Sequence, residues 1–167
     1  MSEVLIRSVQ LVDRHKVLKL KMTLDQESSF MLLSPGERPN NVKIIEDELA
    51  GAIQARDCYL VVESAGQLVG YLHARRGSYL KNRHSAYIVV GLLKSIQGQG
   101  IGTQLFGQLD QWAQEHAVRR LELTVMETNE AAKHLYAKMG FVVEGIRRQA
   151  IKTTEGYENE VYMAKYY

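Results

Sequence analysis

The chain has 167 residues, with 21 lysines and arginines against 19 acidic residues. That length suits one domain over residues 1–167 with a core of its own, and the near balance of charge removes any reason to expect a nucleic-acid partner. A single cysteine, Cys58, excludes an internal disulfide and points to a reducing compartment; no segment has the apolar length of a signal peptide or membrane span, so a cytoplasmic protein without membrane association is expected.

In chain order, residues 4–9 read as a short strand, after which Asp13 introduces a helix with Val17, Leu18 and Met22 on its apolar side. Residues 34–41 hold both prolines and interrupt regular structure, which marks them as the most mobile loop. A helix over 42–54 precedes strands at 59–63 and 68–75, joined as a hairpin through 64–67. Cys58 stands just before the apolar run 59–62 and reads as buried and inert. A continuous apolar run at 85–93 follows. From Gly100 onward Ile101, Leu105, Leu109, Trp112 and Ala113 recur at helical spacing. Leu121, Leu123 and Val125 alternate as a strand does, and Thr128 or Asn129 can cap a helix that Gly140 ends in the left-handed conformation. The tail, 141–149 and 158–166, reads as two strands connected through 153–156.

The run Gln97-Gly98-Gln99-Gly100-Ile101-Gly102-Thr103 stands between the apolar stretch and the long helix. Glycines leave backbone N–H groups uncovered, and the positive end of the helix dipole lies behind them, so a pyrophosphate can bind without a lysine. Each glycine in a helix start costs about 1 kcal/mol relative to alanine, a cost that a binding role offsets. A nucleoside-triphosphate loop needs lysine and then serine or threonine after its last glycine, whereas Gly102 is followed by Thr103-Gln104. A dinucleotide fold needs a third glycine where Thr103 stands, and the order of strands before the loop is wrong for it.

The pattern Gln-x-x-Gly-x-Gly at Gln97, Gly100 and Gly102 resembles the acyl-coenzyme A loop of the GNAT superfamily of N-acyltransferases. A second segment, Asn129 through Leu135-Tyr136 to Gly140-Phe141, is similar to that superfamily's other signature. The resemblance runs from about Ser85 to Phe141, with weaker similarity at Ile6-Arg7 and in the tail. It implies an α/β fold with a mixed, mostly antiparallel sheet of about seven strands, flanked by helices and splayed at the acyl-CoA site. It also implies an N-acetyltransferase that moves the acetyl group of acetyl-CoA directly to a primary amine in a ternary complex, with no metal. A non-catalytic acyl-CoA sensor of the same fold is the alternative, against which Asn129 and Tyr136 both speak.

By the same resemblance, backbone groups around Leu92 pair with pantetheine, with Gly91 suited to a bulge there. Gln97, Gly98, Gln99, Gly100, Ile101, Gly102 and Thr103 hold the pyrophosphate, Asn129 bonds the pantetheine arm, and Tyr136 protonates the departing sulfur. Core packing is the competing reading of Tyr136, and a simple cap that of Asn129. Many relatives place a glutamate on the strand before the loop, where this chain has Ala86-Tyr87-Ile88. Glu127 is then the candidate base, with His84 and Tyr87 as others; an ordinary surface glutamate, and a reaction needing no dedicated base, are the alternatives. Lys133 and Lys138 are candidates for the cofactor's outer phosphate or plain solvated lysines.

Residues 141–148 and 156–160 resemble a bacterial branch whose members acetylate protein N-termini, polyamines or small amines, and that branch often has aspartate where Asn159 stands. The partner expected is therefore such an amine, shaped for by loops at about 30–41 and 153–157, with Glu37, Glu158 and Glu160 as acids that either attract it or form ordinary surface. Homodimerisation through the C-terminal strands is compatible with the pattern.

Overall fold

The computed structural model describes residues 3–167. β1 (Val4–Ser8) passes through a 3-10 turn (Leu11–Asp13) into α1 (Arg14–Glu27), and α2 (Val42–Ala55) precedes β2 (Cys58–Ser64) and β3 (Gln67–Arg76). β4 (Ser85–Leu92) leads to α3 (Ile101–Glu115), and β5 (Arg120–Met126), α4 (Glu130–Lys138), β6 (Val142–Thr153) and β7 (Gly156–Tyr166) follow. Seven strands pair in the order β1-β2-β3-β4-β5-β7-β6. The β4–β5 ladder is parallel, and β1–β2, β2–β3, β5–β7 and β6–β7 are antiparallel. This is the mixed, mostly antiparallel α/β sheet expected from the sequence. No helix among the described residues is long and apolar enough to cross a membrane.

The chain forms two compact units, one comprising the residues up to Arg75 with Val89–Leu105, the other Arg76–Ile88 with Phe106–Tyr167. In the first, α1 turns Val17, Leu20 and Leu24 inward at helical spacing, toward Ile45, Leu49 and Ala52 of α2 and Tyr59, Val61, Leu68 and Tyr71 of the hairpin. The same helix buries two charges. Lys21 Nζ lies 2.8 Å from both carboxylate oxygens of Glu48 and 5.0 Å from the ring centre of Tyr71. Asp25 accepts from Arg38 Nε at 2.6 Å and Nη2 at 3.0 Å, so the segment read as the most mobile loop is pinned to α1 at Arg38. Cys58 is buried, and desolvation, with Asp57 adding to it, pushes its thiol up to about 12, so it stays protonated and is no nucleophile at neutral pH.

Asp13 ends the 3-10 turn and directly precedes α1, as expected, but its side chain makes no cap bond to that helix. Its carboxylate is drawn back to Gln10 N at 2.7 Å and to the Arg7 guanidinium in two bonds of 2.9 Å. Those bonds hold the Asp13 carboxyl below its ordinary 3.8. A carboxylate with a lowered folded-state pKa stabilises the fold fully above its unfolded value, and that contribution disappears as pH falls through the folded value. Asp13→Asn should therefore cost about 1–3 kcal/mol at neutral pH. In thermal melts its deficit against wild type should shrink once the pH drops below about 4.

In the second unit β5 pairs with β7 along its whole length, from Arg120↔Tyr166 to Met126↔Glu160. β6 is longer than the sequence suggested, because its ladder with β7 resumes at Ile151↔Glu158 beyond an irregular stretch starting after Arg147. Gln149 within that stretch takes a left-handed φ of 50°. Phe106 packs its ring 5.5 Å from Tyr136 and 5.7 Å from Phe141, the latter edge-on at 90°. Gly140 follows α4 with φ +94°, the left-handed end predicted for it.

Candidate active site

Gly98 and Gly100 both have positive φ, +73° and +79°, and nothing lies within 4 Å of where a Cβ would stand on either. The left-handed backbone is what requires glycine here, since an L side chain adopts it only under strain. Gln97, Gly98, Gln99 and Gly100 are exposed, and the helix starts at Ile101, with Gly102 and Thr103 in its first turn. N–H groups of a first turn have no acceptor within their own helix, and the dipole adds positive potential at the same place. The glutamines brace the loop from below: Gln99 Nε2 donates to Ser95 O at 3.0 Å, and Gln97 Nε2 to Leu92 O at 3.0 Å. The structure thus brings Gln97 to Leu92, whose carbonyl already has this partner.

Gly91 is needed for close approach: a Cβ there would stand 2.8 Å from Leu24 Cδ1 and 3.2 Å from Tyr71 Cε1. A side chain at that position would have to displace the buried tip of Leu24 and crowd the Tyr71 ring.

At the end of β5, Asn129 caps α4, its Oδ1 accepting from Ala132 N at 3.2 Å, which leaves the Nδ2 hydrogens as the donors it can offer a ligand. Capping and ligand contact are compatible in this geometry. Two turns on, Tyr136 is 7% exposed. Burial raises its phenol pKa well above the ordinary 10.0, with Tyr87 contributing, so the proton stays on oxygen at neutral pH.

Glu127 is half-buried, and its Oε2 accepts from Asn159 Nδ2 at 3.0 Å while its N–H donates to the Asn159 carbonyl at 3.0 Å. Sequence reasoning singled out both residues without joining them. Among the other base candidates, Tyr87 shares a hydrogen bond of 2.9 Å with Thr124 Oγ1, and His84 is exposed ahead of β4. Lys133 pairs with Glu130 at 2.9 Å. The three acids considered for a cationic acceptor are all engaged: Glu37 with Ser34 N at 2.8 Å, Glu158 with Thr128 N at 2.9 Å, and Glu160 with Arg147 at 3.1 Å.

A mixed sheet in this strand order, with a glycine-opened helix after β4 and a capped, tyrosine-bearing helix after β5, is the architecture of the acyl-CoA N-acyltransferases. The family model for the acetyltransferase (GNAT) family matches residues 23–141, and the chain belongs to that family. It is similar to the ribosomal protein bS18-alanine N-acetyltransferase of Escherichia coli K12, with 38% identity over 68 residues that cover 41% of this chain and 46% of the relative. The chain thus spans about half the length of that curated relative. The GNAT-family acetyltransferase structure from Streptococcus pneumoniae superposes with a TM-score of 0.91 at 26% identity, covering 98% of this chain and 99% of the other. The fold is shared as well, at a TM-score of 0.86 and 14% identity, with a phosphinothricin acetyltransferase from Sinorhizobium meliloti solved in complex with acetyl-CoA, covering 98% and 88% of the two chains.

Proposed function

We propose that the protein transfers the acetyl group of acetyl-CoA to a primary amine by direct attack, in a ternary complex and in the cytoplasm. The observation that carries this reading is the pair of left-handed glycines at the mouth of α3, Gly98 and Gly100, which turn a helix start into a cradle of main-chain donors for a diphosphate. The solved complex of a fold neighbour with acetyl-CoA supports the choice of ligand.

In this reading the loop from Gln97 to Thr103 binds the pyrophosphate, backbone groups around Leu92 align the pantetheine arm, and Asn129 Nδ2 bonds it. The amine nitrogen attacks the thioester carbonyl carbon, a C–N bond forms, and the C–S bond breaks. Glu127 accepts the proton the nitrogen sheds, directly or through water. Tyr136 gives its proton to the departing sulfur. A phenol whose pKa is raised by burial donates poorly to a neutral thioester and readily to a charge arriving in the same desolvated surroundings, so its proton moves when the thiolate forms. Cys58 takes no part, and no acyl-enzyme forms.

The acceptor class comprises peptide N-termini, polyamines and small primary amines. The test is a panel of alanine-initiated peptides, polyamines, amino acids and aminoglycosides incubated with acetyl-CoA, read by mass spectrometry and thiol release. Acetylation of a primary amine on that panel is the expected result. Tight acetyl-CoA binding with no acetylated product on any amine would replace the enzyme by a sensor, and absence of acetyl-CoA binding at low salt would end the reading altogether.

A further inference from the structure

Asn159 on β7 makes two side-chain bonds of opposite sense. Its Oδ1 accepts from Gln149 N at 2.9 Å and its Nδ2 donates to Glu127 Oε2 at 3.0 Å. A main-chain N–H can only donate, so Gln149 fixes which end of the amide is oxygen and leaves the nitrogen facing Glu127. Its main chain adds a third tie, the Asn159 carbonyl accepting from Glu127 N at 3.0 Å. One residue thereby links the end of β5 to the irregular stretch of β6, where Gln149 holds its left-handed φ of 50°.

We propose that Asn159 is a positioning residue for proton acceptance: it commits Glu127 Oε2 to a neutral donor, so that Oε1 is the oxygen aimed at the incoming amine. The proposal rests on Glu127 being the base in the reading above. Asparagine suits this place for an electrostatic reason. An aspartate at the same position would hold a second carboxylate oxygen about 3 Å from the first, and like charges that close cannot both be ionised at ordinary pH.

Several ionisable groups on the neighbouring elements have partners of their own. From β7, Glu158 is bonded to Thr128 N and Oγ1, and Glu160 is paired with Arg147 of β6 at 3.1 Å. From α4, Glu130 is paired with Lys133 at 2.9 Å; on the β4 side, Tyr87 is bonded to Thr124 at 2.9 Å.

Asn159→Asp is the informative variant because it is nearly isosteric: the carboxylate can still accept from Gln149 N, and only the donor to Glu127 is exchanged for a charge. The experiment follows kcat/KM from about pH 5 to about pH 9 for wild type, Asn159→Asp, Asn159→Ala, Glu127→Gln and the double variant Asn159→Asp with Glu127→Gln. The acceptor is an alanine-initiated peptide or spermidine, whichever turns over faster, and it is the same for all variants, so its own ionisation cancels. Thermal melts establish that each variant is folded at the assay temperature.

The expected result is an acid limb displaced to higher pH by about one unit or more in Asn159→Asp, and by less in the same direction in Asn159→Ala, with turnover recovering as pH rises. Glu127→Gln should abolish the limb's dependence on residue 159. Should Asn159→Asp be too unstable to assay, the displacement in Asn159→Ala decides. A fall in rate that is uniform across pH, or an unmoved limb in a folded variant while Glu127→Gln remains defective, would overturn the positioning role and leave Glu127 as base. Wild-type turnover and an unchanged profile in Glu127→Gln would overturn the base assignment, and the inference with it.

Discussion

Replacing Tyr136 by phenylalanine is expected to lower turnover by at least about tenfold while acetyl-CoA binding stays close to wild type, since a positioned proton donor is worth that much or more to the chemical step. The substitution removes one oxygen and keeps the ring that packs against Phe106 and Phe141, at 5.5 Å and 6.1 Å, so the aromatic cluster and the fold should survive it. Steady-state thiol release measures the first quantity and calorimetry with acetyl-CoA the second. A loss confined to KM would make Tyr136 a binding residue, and unchanged turnover would return it to the core.

Gly100→Val should weaken acetyl-CoA binding by about tenfold or more. The cause is the backbone: φ is +79° at Gly100, and a β-branched side chain is driven out of that region at a cost of about 1–3 kcal/mol. Nothing lies within 4 Å of the added Cβ, so there is no internal clash to spread the damage, and the loop itself is exposed. A drop in affinity together with a fall of roughly a few degrees in the melting temperature of the free protein is therefore the signature, read by calorimetry and by thermal melts without ligand. Unchanged affinity in a folded variant would mean that the conformation at this residue has no part in holding the diphosphate.

Much of the architecture was readable from local pattern. The stripe Leu105, Leu109 and Ala113 on α3, all fully buried, and the alternation of buried Leu121, Leu123 and Val125 on β5 are periodicities that chain geometry imposes within a few residues. The glycine spacing before α3 was equally local, because left-handed turns select one residue type. What escaped were features that depend on distant partners. Lys21 and Asp25 look like a solvated helix face, yet both are buried, since Glu48 lies 27 residues from the first and Arg38 lies 13 from the second. The bond between Asn159 and Glu127 spans 32 residues and two strands, and no spacing rule reaches it. Asp13 does open α1 as its position suggests, but the bond of its carboxylate to Arg7 was not legible from that position.

The clamp between Asp25 and Arg38 bears on how the connection between α1 and α2 behaves. Asp25 is only 3% exposed, so swinging residues 28–41 away would strip a carboxylate of its counter-ion inside apolar surroundings. Residues 28–41 are therefore tied to α1 at Arg38 by an ion pair that is costly to rupture, so the hold on this connection depends on the charge of one buried carboxylate.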